Sequence, residues 1–535
     1  MTGSRREQIL FVGLATALAL TVVAAHVVRL GEPLGVDQGL FACFARWVPR
    51  GWLPYRDLFD SKPPLFLYWW GASAIVPGDV VRAAWWWEGF WLATTLGVAY
   101  ALAARVWGRW EGLAAAALLF LGLWLPAWGT SSGSSHALLP PFWSRAQAEE
   151  VLAMPMLASA WLAWRALDRP RLAFWAGVLV GVCGLFKIPS MAIALSWGVT
   201  WLACGSWRGA AGRVGWMVAG VALPWVLALG WFASHGATSS FIEGVFVYHR
   251  YNAAFIAPPW GGVLYDFGGK VITEAPLLGV TAAVGVLRLV RRGAREAHWV
   301  ASWVVATMAA VVLQRQLAGY HYMLIVPALA LAGAYGLVDV IRAVRAPDSR
   351  LVAGAGLVAL ALFAARDVQA WALAYGPDLD YLRGRLSRET YLHAIQPGAF
   401  SMADEEQAAS WLHDHTAPAD GLLVWGLSPG IYALADRHPV TRFPFHKILM
   451  TDAPLSRMWP GLDQRRADLV ERLRRDPPAY VLVGRNDANG FEPLDSYTSM
   501  MRFRELKTML HDEYTPEVPL GRFLVFRRGT PSAAP

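Results

Sequence analysis

Long apolar segments alternate with short polar stretches over the first 367 residues of the chain. About 20 apolar residues are needed to cross a bilayer. Eleven segments approach or reach that length, near residues 9–30, 81–104, 111–127, 150–164, 172–186, 190–204, 214–233, 272–290, 298–314, 321–341 and 351–367. The fifth and sixth form one apolar run that Lys187 and Pro189 divide into two short helices. This pattern predicts a mainly α-helical, polytopic membrane protein with about eleven transmembrane helices.

Arginines are concentrated in every second loop between these segments. If the N-terminus is cytoplasmic, the inside loops all carry at least two arginines and no lysine; they are 105–110, 165–171, 205–213, 288–297 and 342–350. Short cytoplasmic loops are enriched in positive charge, so we expect this orientation. The outside segments are then 31–80, 128–149, 187–190, 235–271, 315–320 and 368–535.

Residues 368–535 have more charge and shorter apolar runs than the rest of the chain. Their runs GLLVWG, HPVTRF, AYVLVG and RFLVFRR predict strands, and DEEQAASWLHDHT, SPGIYALAD and ADLVERLRRD predict helices. Helices that alternate with short buried strands are typical of a small α/β domain. We therefore expect a transmembrane domain over 1–367 and an extracytoplasmic α/β domain over 368–535.

Composition supports a membrane protein and excludes other classes. The chain is 56% hydrophobic and 16% charged, with 29 Trp. A net charge of +8 does not indicate a nucleic-acid partner, because the positive residues lie at the ends of apolar segments. The three cysteines fit neither a disulfide framework nor a metal site, and no His/Asp cluster has metal-ligand spacing. We expect no metal and no cofactor. The first apolar segment lacks a cleavage site and is expected to remain as an anchor.

The outer segment from Asp37 to Pro64 carries the densest chemistry in the first 130 residues. It reads DQGLFACFARWVPRGWLPYRDLFDSKPP, with aromatic residues among its charges. An outer loop of this composition is expected to lie on the membrane surface. Acids and bases placed against a bilayer are costly and indicate a functional site, although a solvated loop is the simpler interpretation of a charged stretch.

The segment VDQGLFACFARWVPRGWLPYRDLFDSKPPLFLYWW resembles the first extracytoplasmic loop of the polyprenyl-phosphate-dependent membrane glycosyltransferases of GT-C fold. This group holds the protein O-mannosyltransferases and the lipid A aminoarabinose transferase. Three further stretches fit the same group; they are QAEEVLAMPMLA, GLFKIPS and GYHYMLIVPALALAGAYGL. The resemblance covers roughly residues 5–345. It departs at Gln38, where many relatives carry Glu, which puts the second acid in doubt.

Two residues of this segment suit a sugar transfer. Asp37 is the candidate catalytic base for an acceptor hydroxyl, and its alternative role is to cap the following helix. Lys62 is the candidate ligand of the donor phosphate, or else a lysine that snorkels from the next span. Asp60 is expected to orient Lys62 or to pair with Arg56, which is a second phosphate candidate. Asp57 is expected to be solvated.

Five further residues become substrate-binding candidates through the resemblance. Lys187 matches its FKIPS element and is otherwise an interfacial anchor. Glu149 opens the fourth segment, where an acid also complements the helix dipole. Arg250 lies in an outer amphipathic stretch that we interpret chiefly as a membrane-surface helix. His321 and Tyr322 open the tenth segment and either line the site or pack beside it.

The function that the resemblance implies is transfer of a sugar from a polyprenyl-phosphate carrier to a hydroxyl of an extracytoplasmic lipid, glycan or protein. The expected partners are this lipid-linked donor, membrane lipids and the acceptor, with no nucleic acid. The expected location is the inner membrane of a bacterium. One alternative is a transporter or flippase of lipid-linked sugars, although we find no internal repeat of the kind that transporters use. Another is a non-catalytic envelope-assembly protein on the same fold.

Overall fold

The structure is a computed structural model, and it describes residues 5–124, 141–251, 259–315, 318–346, 350–396, 400–449, 459–489 and 493–529. The Ser/Gly-rich loop expected at 128–149 lies largely outside these residues. The chain forms two compact units. Unit 1 comprises Met1–Gly31, Glu88–Gly230 and Ala257–Leu382, and unit 2 comprises Glu32–Trp87, Trp231–Ile256 and Arg383–Pro535. Whether a domain boundary lies at residue 367 stays a prediction.

Helices make up most of the chain before residue 383. In chain order they are α1 Arg5–Val28, α2 Val36–Trp47, α3 Pro64–Ala72, α4 Val80–Val106, α5 Arg109–Trp124, α6 Ala148–Val151, α7 Ala153–Arg165, α8 Leu172–Phe186, α9 Ile193–Ala203, α10 Trp207–Ser234, α11 Thr238–Ile242, α12 Trp260–Glu274, α13 Pro276–Arg291, α14 Arg295–Gln314, α15 Val326–Ala343, α16 Arg350–Ala374 and α17 Gly376–Leu382.

Six of the described helical segments are long and apolar enough to cross a membrane; they are Arg5–Gly31, Val80–Val106, Trp207–Ser234, Arg295–Gln314, Gly319–Ala343 and Arg350–Ala374. Two shorter apolar helical segments, Leu172–Phe186 and Ile188–Ala203, lie on either side of Lys187 as expected. The chain is therefore a mainly helical, polytopic membrane protein. The count of eleven spans stays a prediction.

Small residues let the helices of unit 1 approach closely. A Cβ added to Gly285 on α13 would lie 1.9 Å from the carbonyl oxygen of Ala332 on α15. A Cβ on Gly220 of α10 would lie 2.0 Å from the carbonyl oxygen of Phe174 on α8. Apolar helices in a membrane associate mainly through such close packing, because lipid offers no hydrophobic driving force between them.

Residues 383–529 add shorter helices and the strands. The helices are α18 Arg388–Ile395, α19 Met402–His415, α20 Gly430–Ala435, α21 Leu462–Arg475, α22 Ser496–Met501 and α23 Arg504–Glu513. The strands are β1 Leu422–Trp425, β2 Tyr480–Gly484, β3 Tyr514–Leu520 and β4 Phe523–Arg528. They form one sheet in the order β1-β2-β4-β3. β1 and β2 are parallel, and β4 is antiparallel to both of its neighbours.

Three of the four predicted strands are confirmed, as β1, β2 and β4, and so are the three predicted helices of this region, as α19, α20 and α21. The strand predicted at HPVTRF is wrong. Pro439 makes a single bridge to Leu422, and the chain then turns away because the Thr441 hydroxyl accepts from the amide of Phe443 at 3.1 Å.

The outer segment of the sequence packs against the C-terminal region within unit 2. Phe59 is fully buried in a core with Trp459 and Phe443, and its amide donates to the carbonyl of Arg442 at 2.7 Å. The apolar face of α2 packs against α3 and α20. This face was expected to lie on the membrane surface, and the C-terminal helix α20 covers part of it instead.

Candidate functional site

Asp37 lies in the first turn of α2 and is partly exposed. The helix begins at Val36 with Gly35 at the N-cap, and the Gly35 carbonyl accepts from the amide of Gly39 at 2.7 Å. Asp37 is therefore inside the helix and not at its N-cap. A carboxylate in this position is stabilised by the positive end of the helix dipole.

The C-terminal region holds the helix that carries Asp37. A Cβ on Gly39 would lie 2.8 Å from the Cα of Gly430, so α2 and α20 meet where only glycine fits. Farther along α2, the Arg46 Nε donates to the carbonyl of Ala433 at 3.0 Å. These contacts fix the orientation of α2, and thereby the direction in which its first turn points.

Asp60 and Lys62 form an ion pair in the turn before α3. Their Oδ1 and Nζ atoms are 3.7 Å apart, and the Asp60 side chain is 4% exposed. The Lys62 ammonium also lies 4.7 Å from the ring centre of Phe41 on α2. Burial raises the pKa of the Asp60 carboxyl, the Lys62 ammonium opposes that rise, and the nearby charge of Asp37 adds to it. Of the two partners expected for Asp60, the structure shows Lys62.

The backbone around Lys62 is fixed from two sides. The Tyr55 hydroxyl donates to the Lys62 carbonyl at 2.7 Å, and the His249 Nε2 lies 2.6 Å from the Ser61 carbonyl. Pro63 at the N-cap and Pro64 at the first position of α3 end the turn, since proline has no amide to satisfy there. Only Arg250 was singled out in this stretch of the sequence, and the contact of His249 with the turn was not predicted.

Arg56 and Arg250 lie in different surroundings. The Arg56 guanidinium donates to both oxygens of Asp57, at 2.9 and 2.8 Å, and to the carbonyl of His235 at 3.3 Å. Asp57 is therefore paired and not merely solvated. Its partial burial by itself would raise its pKa, but the hydrogen bonds from Arg56 and from the Leu53 amide together outweigh that burial, and the pKa is lowered. Arg250 is exposed. Phosphate contacts for both arginines stay predictions.

A second cluster lies in unit 1 and joins three of the predicted residues. The Lys187 ammonium donates to Glu149 Oε1, and the His321 Nε2 lies 3.7 Å from the same oxygen. The Glu149 side chain is 1% exposed and that of Lys187 is 17% exposed. The ammonium also lies 5.9 Å from the ring centre of Tyr320. Buried charge is costly unless it is paired, and this pairing satisfies both charges.

Lys187 is presented by the break between α8 and the short helical turn Ile188–Ala192. Its backbone is extended, with φ −160° and ψ 115°, which ends α8. The Ser190 hydroxyl then donates to the Lys187 carbonyl at 2.7 Å. An interruption of two apolar helices by a charged residue is a common way to build a site inside a membrane protein.

Tyr322 is fully buried beside α12. Its ring stacks on Phe267, with centroids 5.7 Å apart, and the Lys270 ammonium lies 5.5 Å from its ring centre. Most of α12 falls in the segment 235–271, which was expected to be an outside loop, and the helix was not predicted.

A buried network supports the turn that carries Glu149. The Arg145 guanidinium donates to both oxygens of Glu88, and its Nη1 donates to the carbonyl of Arg29 at 2.7 Å. Arg145 and Glu88 are each 1% exposed. The Glu150 carboxylate accepts from the amide of Ala146 at 2.9 Å. The sequence signal was an arginine followed by two acids, but nothing in it indicated the partner on α4.

Each unit holds its own group of charged residues. Unit 2 presents a carboxylate in a helix first turn and an ammonium beside a buried acid. Unit 1 presents a second ammonium held by a buried acid and a histidine. Among the residues that the structure describes, no group of three or more His, Cys, Asp or Glu side chains is placed to hold a metal ion.

Comparison with known proteins identifies the fold. No family profile and no curated protein sequence matches the chain. The structure of ArnT from Cupriavidus metallidurans bound to undecaprenyl phosphate superposes with a TM-score of 0.58 at 15% identity, over 98% of each chain. The apo structure of the same protein gives 0.59 at 16% identity, over 97% of this chain and 98% of that one. The chain therefore has the GT-C fold of ArnT.

Proposed function

We propose that this chain is an integral-membrane glycosyltransferase that takes a sugar from a polyprenyl-phosphate carrier. The observation that carries the proposal is the group in unit 2, where Asp37 stands in a helix first turn and Lys62 is held by Asp60 and the ring of Phe41. The GT-C fold supports it, and one of the matching ArnT structures contains undecaprenyl phosphate.

The reaction follows from these charges. Asp37 accepts the proton of the acceptor hydroxyl as its oxygen attacks the anomeric carbon of the donor sugar. The bond from that carbon to the phosphate oxygen breaks, and the polyprenyl phosphate leaves with the electron pair. Lys62 stabilises the negative charge that develops on the phosphate. Attack from the face opposite the phosphate inverts the anomeric carbon.

The cluster of unit 1 is proposed by itself as a substrate-binding group. Lys187 supplies its positive charge, and Glu149 and His321 hold that charge in place. Tyr322 is fully buried against Phe267, and its contact with substrate stays a prediction. The acceptor is a hydroxyl of an extracytoplasmic lipid, glycan or protein.

The pairing at Lys187 also favours a second candidate function. Transporters place charged groups at broken helices inside the membrane, and Lys187 with Glu149 fits that description. Purified protein in liposomes separates the two functions. A glycosyltransferase forms a new glycosidic bond with a lipid-linked donor and a hydroxyl acceptor, whereas a flippase moves the lipid and leaves it chemically unchanged.

Lys62→Ala is expected to reduce kcat/KM for the lipid donor roughly 10–100-fold, because one charge-assisted hydrogen bond is lost. Lys62→Arg keeps the charge but changes its geometry, so a smaller loss is expected. The measurement is steady-state transfer with varied donor. Lys507→Ala, an exposed lysine on α23, is the matched control. Normal turnover and normal KM in the alanine variant would contradict the phosphate role.

The orientation proposed for the chain has a cytoplasmic N-terminus and residues 368–535 outside the cytoplasm of a bacterium, in its inner membrane. The arginine-rich loops are its basis. A reporter enzyme that is active only outside the cytoplasm, fused after Pro535, is expected to be active. A reporter that is silent there but active when fused after Arg169 would reverse the orientation.

A further inference from the structure

A cavity of about 300 Å³ opens in unit 2, far along the chain from Asp37. It is lined by residues of the turn after α20 and by one face of α21; they are Thr441, Arg442, Phe443, Asp468, Leu469, Glu471, Arg472 and Arg475. This volume is at the lower end of the range for small-molecule sites. Its lining combines guanidinium groups, carboxylates and an apolar wall.

The guanidinium of Arg442 is fixed in place, and one of its edges donates to no described residue. Its Nη1 donates to Glu243 at 3.1 Å and to the carbonyl of Tyr55 at 3.3 Å. The guanidinium lies 4.5 Å from the ring centre of Phe443. These contacts use Nη1, and no described residue accepts from Nε or Nη2. The edge formed by those two nitrogens has the spacing that binds a carboxylate or phosphate through two parallel hydrogen bonds.

Two more guanidiniums line the same cavity. Arg472 and Arg475 are one turn or less apart on α21, and neither forms an ion pair or a hydrogen bond with any described residue. Arg472 acts on its surroundings only through its charge, which helps to lower the pKa of Asp57. Three guanidiniums converging on one cavity are the arrangement that proteins use for phosphate and other anions.

The two acidic residues that line the cavity restrict the class of ligand that it can bind. Asp468 accepts from Gln464 at 3.0 Å through one oxygen, Oδ1, and Glu471 has no partner among the described residues. Carboxylates accept hydrogen bonds from hydroxyl groups but repel a bare anion. Phe443 and Leu469 are buried in the core beneath the cavity, so its polar side chains are the groups that contact a ligand. A ligand with both hydroxyls and one anionic group satisfies this polar lining.

We propose that this cavity binds an anionic saccharide, one that carries a phosphate or a carboxylate. Its charged group binds the arginines, and its hydroxyls bind Asp468 and Glu471. The proposal does not rest on the transfer reaction, because binding is measured without turnover. Under the proposed glycosyltransferase function, the cavity is a site for part of the acceptor and is separate from Lys62 and the lipid donor.

The test measures binding of glucose 1-phosphate to the purified full-length protein by isothermal titration. Arg472→Gln with Arg475→Gln is expected to weaken binding about tenfold or more, because charge-assisted hydrogen bonds are lost. Arg474→Gln removes one positive charge from an exposed position of the same helix that does not line the cavity, and it is expected to leave binding unchanged. Lys62→Ala is also expected to leave it unchanged.

Five results would overturn the proposal. One is absence of binding to the wild-type protein. Another is equal weakening by Arg474→Gln, which indicates unspecific charge attraction. A third is loss of binding in Lys62→Ala alone, which assigns the ligand to the donor site. The fourth is equal affinity for inorganic phosphate, which assigns the site to a free anion. The fifth is displacement of the sugar phosphate by phosphatidylglycerol nanodiscs but not by zwitterionic ones, which assigns the site to a lipid headgroup.

Discussion

Asp37→Asn is expected to reduce sugar transfer about 10²–10⁴-fold, the usual contribution of a positioned general base. Asparagine has nearly the same volume as aspartate and keeps an oxygen that accepts hydrogen bonds, but it cannot take the proton of the acceptor hydroxyl. Since Gly35 and not Asp37 is the N-cap of α2, the substitution removes little helix stability. The measurement compares single-turnover transfer by purified wild-type and variant protein.

Two controls make this result specific. Thermal stability with bound lipid donor is expected to be unchanged in Asp37→Asn, which separates a lost base from a misfolded protein. Asp414→Asn replaces an exposed aspartate of α19 that has no partner among the described residues, and it is expected to transfer normally. Full activity in Asp37→Asn would assign the base to another acid, with Asp57, Asp60 and Glu149 as the candidates.

Arg145→Met is expected to lower the free energy of unfolding by about 3–5 kcal/mol, because it leaves the Glu88 carboxylate buried and unpaired. The Arg29 carbonyl also loses the hydrogen bond that it accepts from Arg145 Nη1. Activity falls with stability in this variant, since the turn that carries Glu149 follows Arg145 directly. The unfolding of the detergent-purified protein is measured by pulse proteolysis.

A double substitution tests whether the unpaired charge of Glu88 causes this loss of stability. Arg145→Met together with Glu88→Met removes both charges, and it is expected to recover much of the lost stability, because a buried pair is often replaceable by apolar residues. Arg82→Met breaks an exposed pair with Asp79 at 3.5 Å, where less than about 1 kcal/mol is expected. A single Arg145→Met variant as stable as the wild type would show that Glu88 is not held by this charge.

The apolar helices were predictable because their signal is local. Length and hydropathy of each segment suffice to place a spanning helix, and the break at Lys187 was visible as a charge and a proline within one apolar run. The buried strands β1 and β2 were equally clear, since every residue of each is apolar or glycine and buried.

The strand β3 shows where local signals fail. Its sequence YTPEVPL contains two prolines, which argue against a strand. β3 lies at the edge of the sheet and pairs only with β4, with an irregular register between Pro516 and Val518. An edge strand has one side without ladder bonds, so the missing amides of proline are tolerated there. The edge position depends on the whole sheet and cannot be read from the segment.

The candidate site likewise contains residues that the sequence indicates and partners that it does not. Asp37, Lys62 and Lys187 were identified from their position beside apolar segments and from the resemblance. Their partners depend on tertiary structure. Glu149 meets Lys187 across 38 positions of sequence, and Arg145 meets Glu88 across 57. No pattern along one chain indicates such pairs.

The contact between Gly39 and Gly430 sets an order of events during synthesis. The ribosome makes α2 early and α20 about 390 residues later, which at typical elongation rates is a delay of roughly 20–80 s. Throughout that interval, the face of α2 that later rests on α20 has no permanent partner in unit 2. The nascent chain must therefore keep this apolar face from aggregating until nearly the whole polypeptide has been translated. A truncated product that lacks α20 leaves the helix of Asp37 without this support.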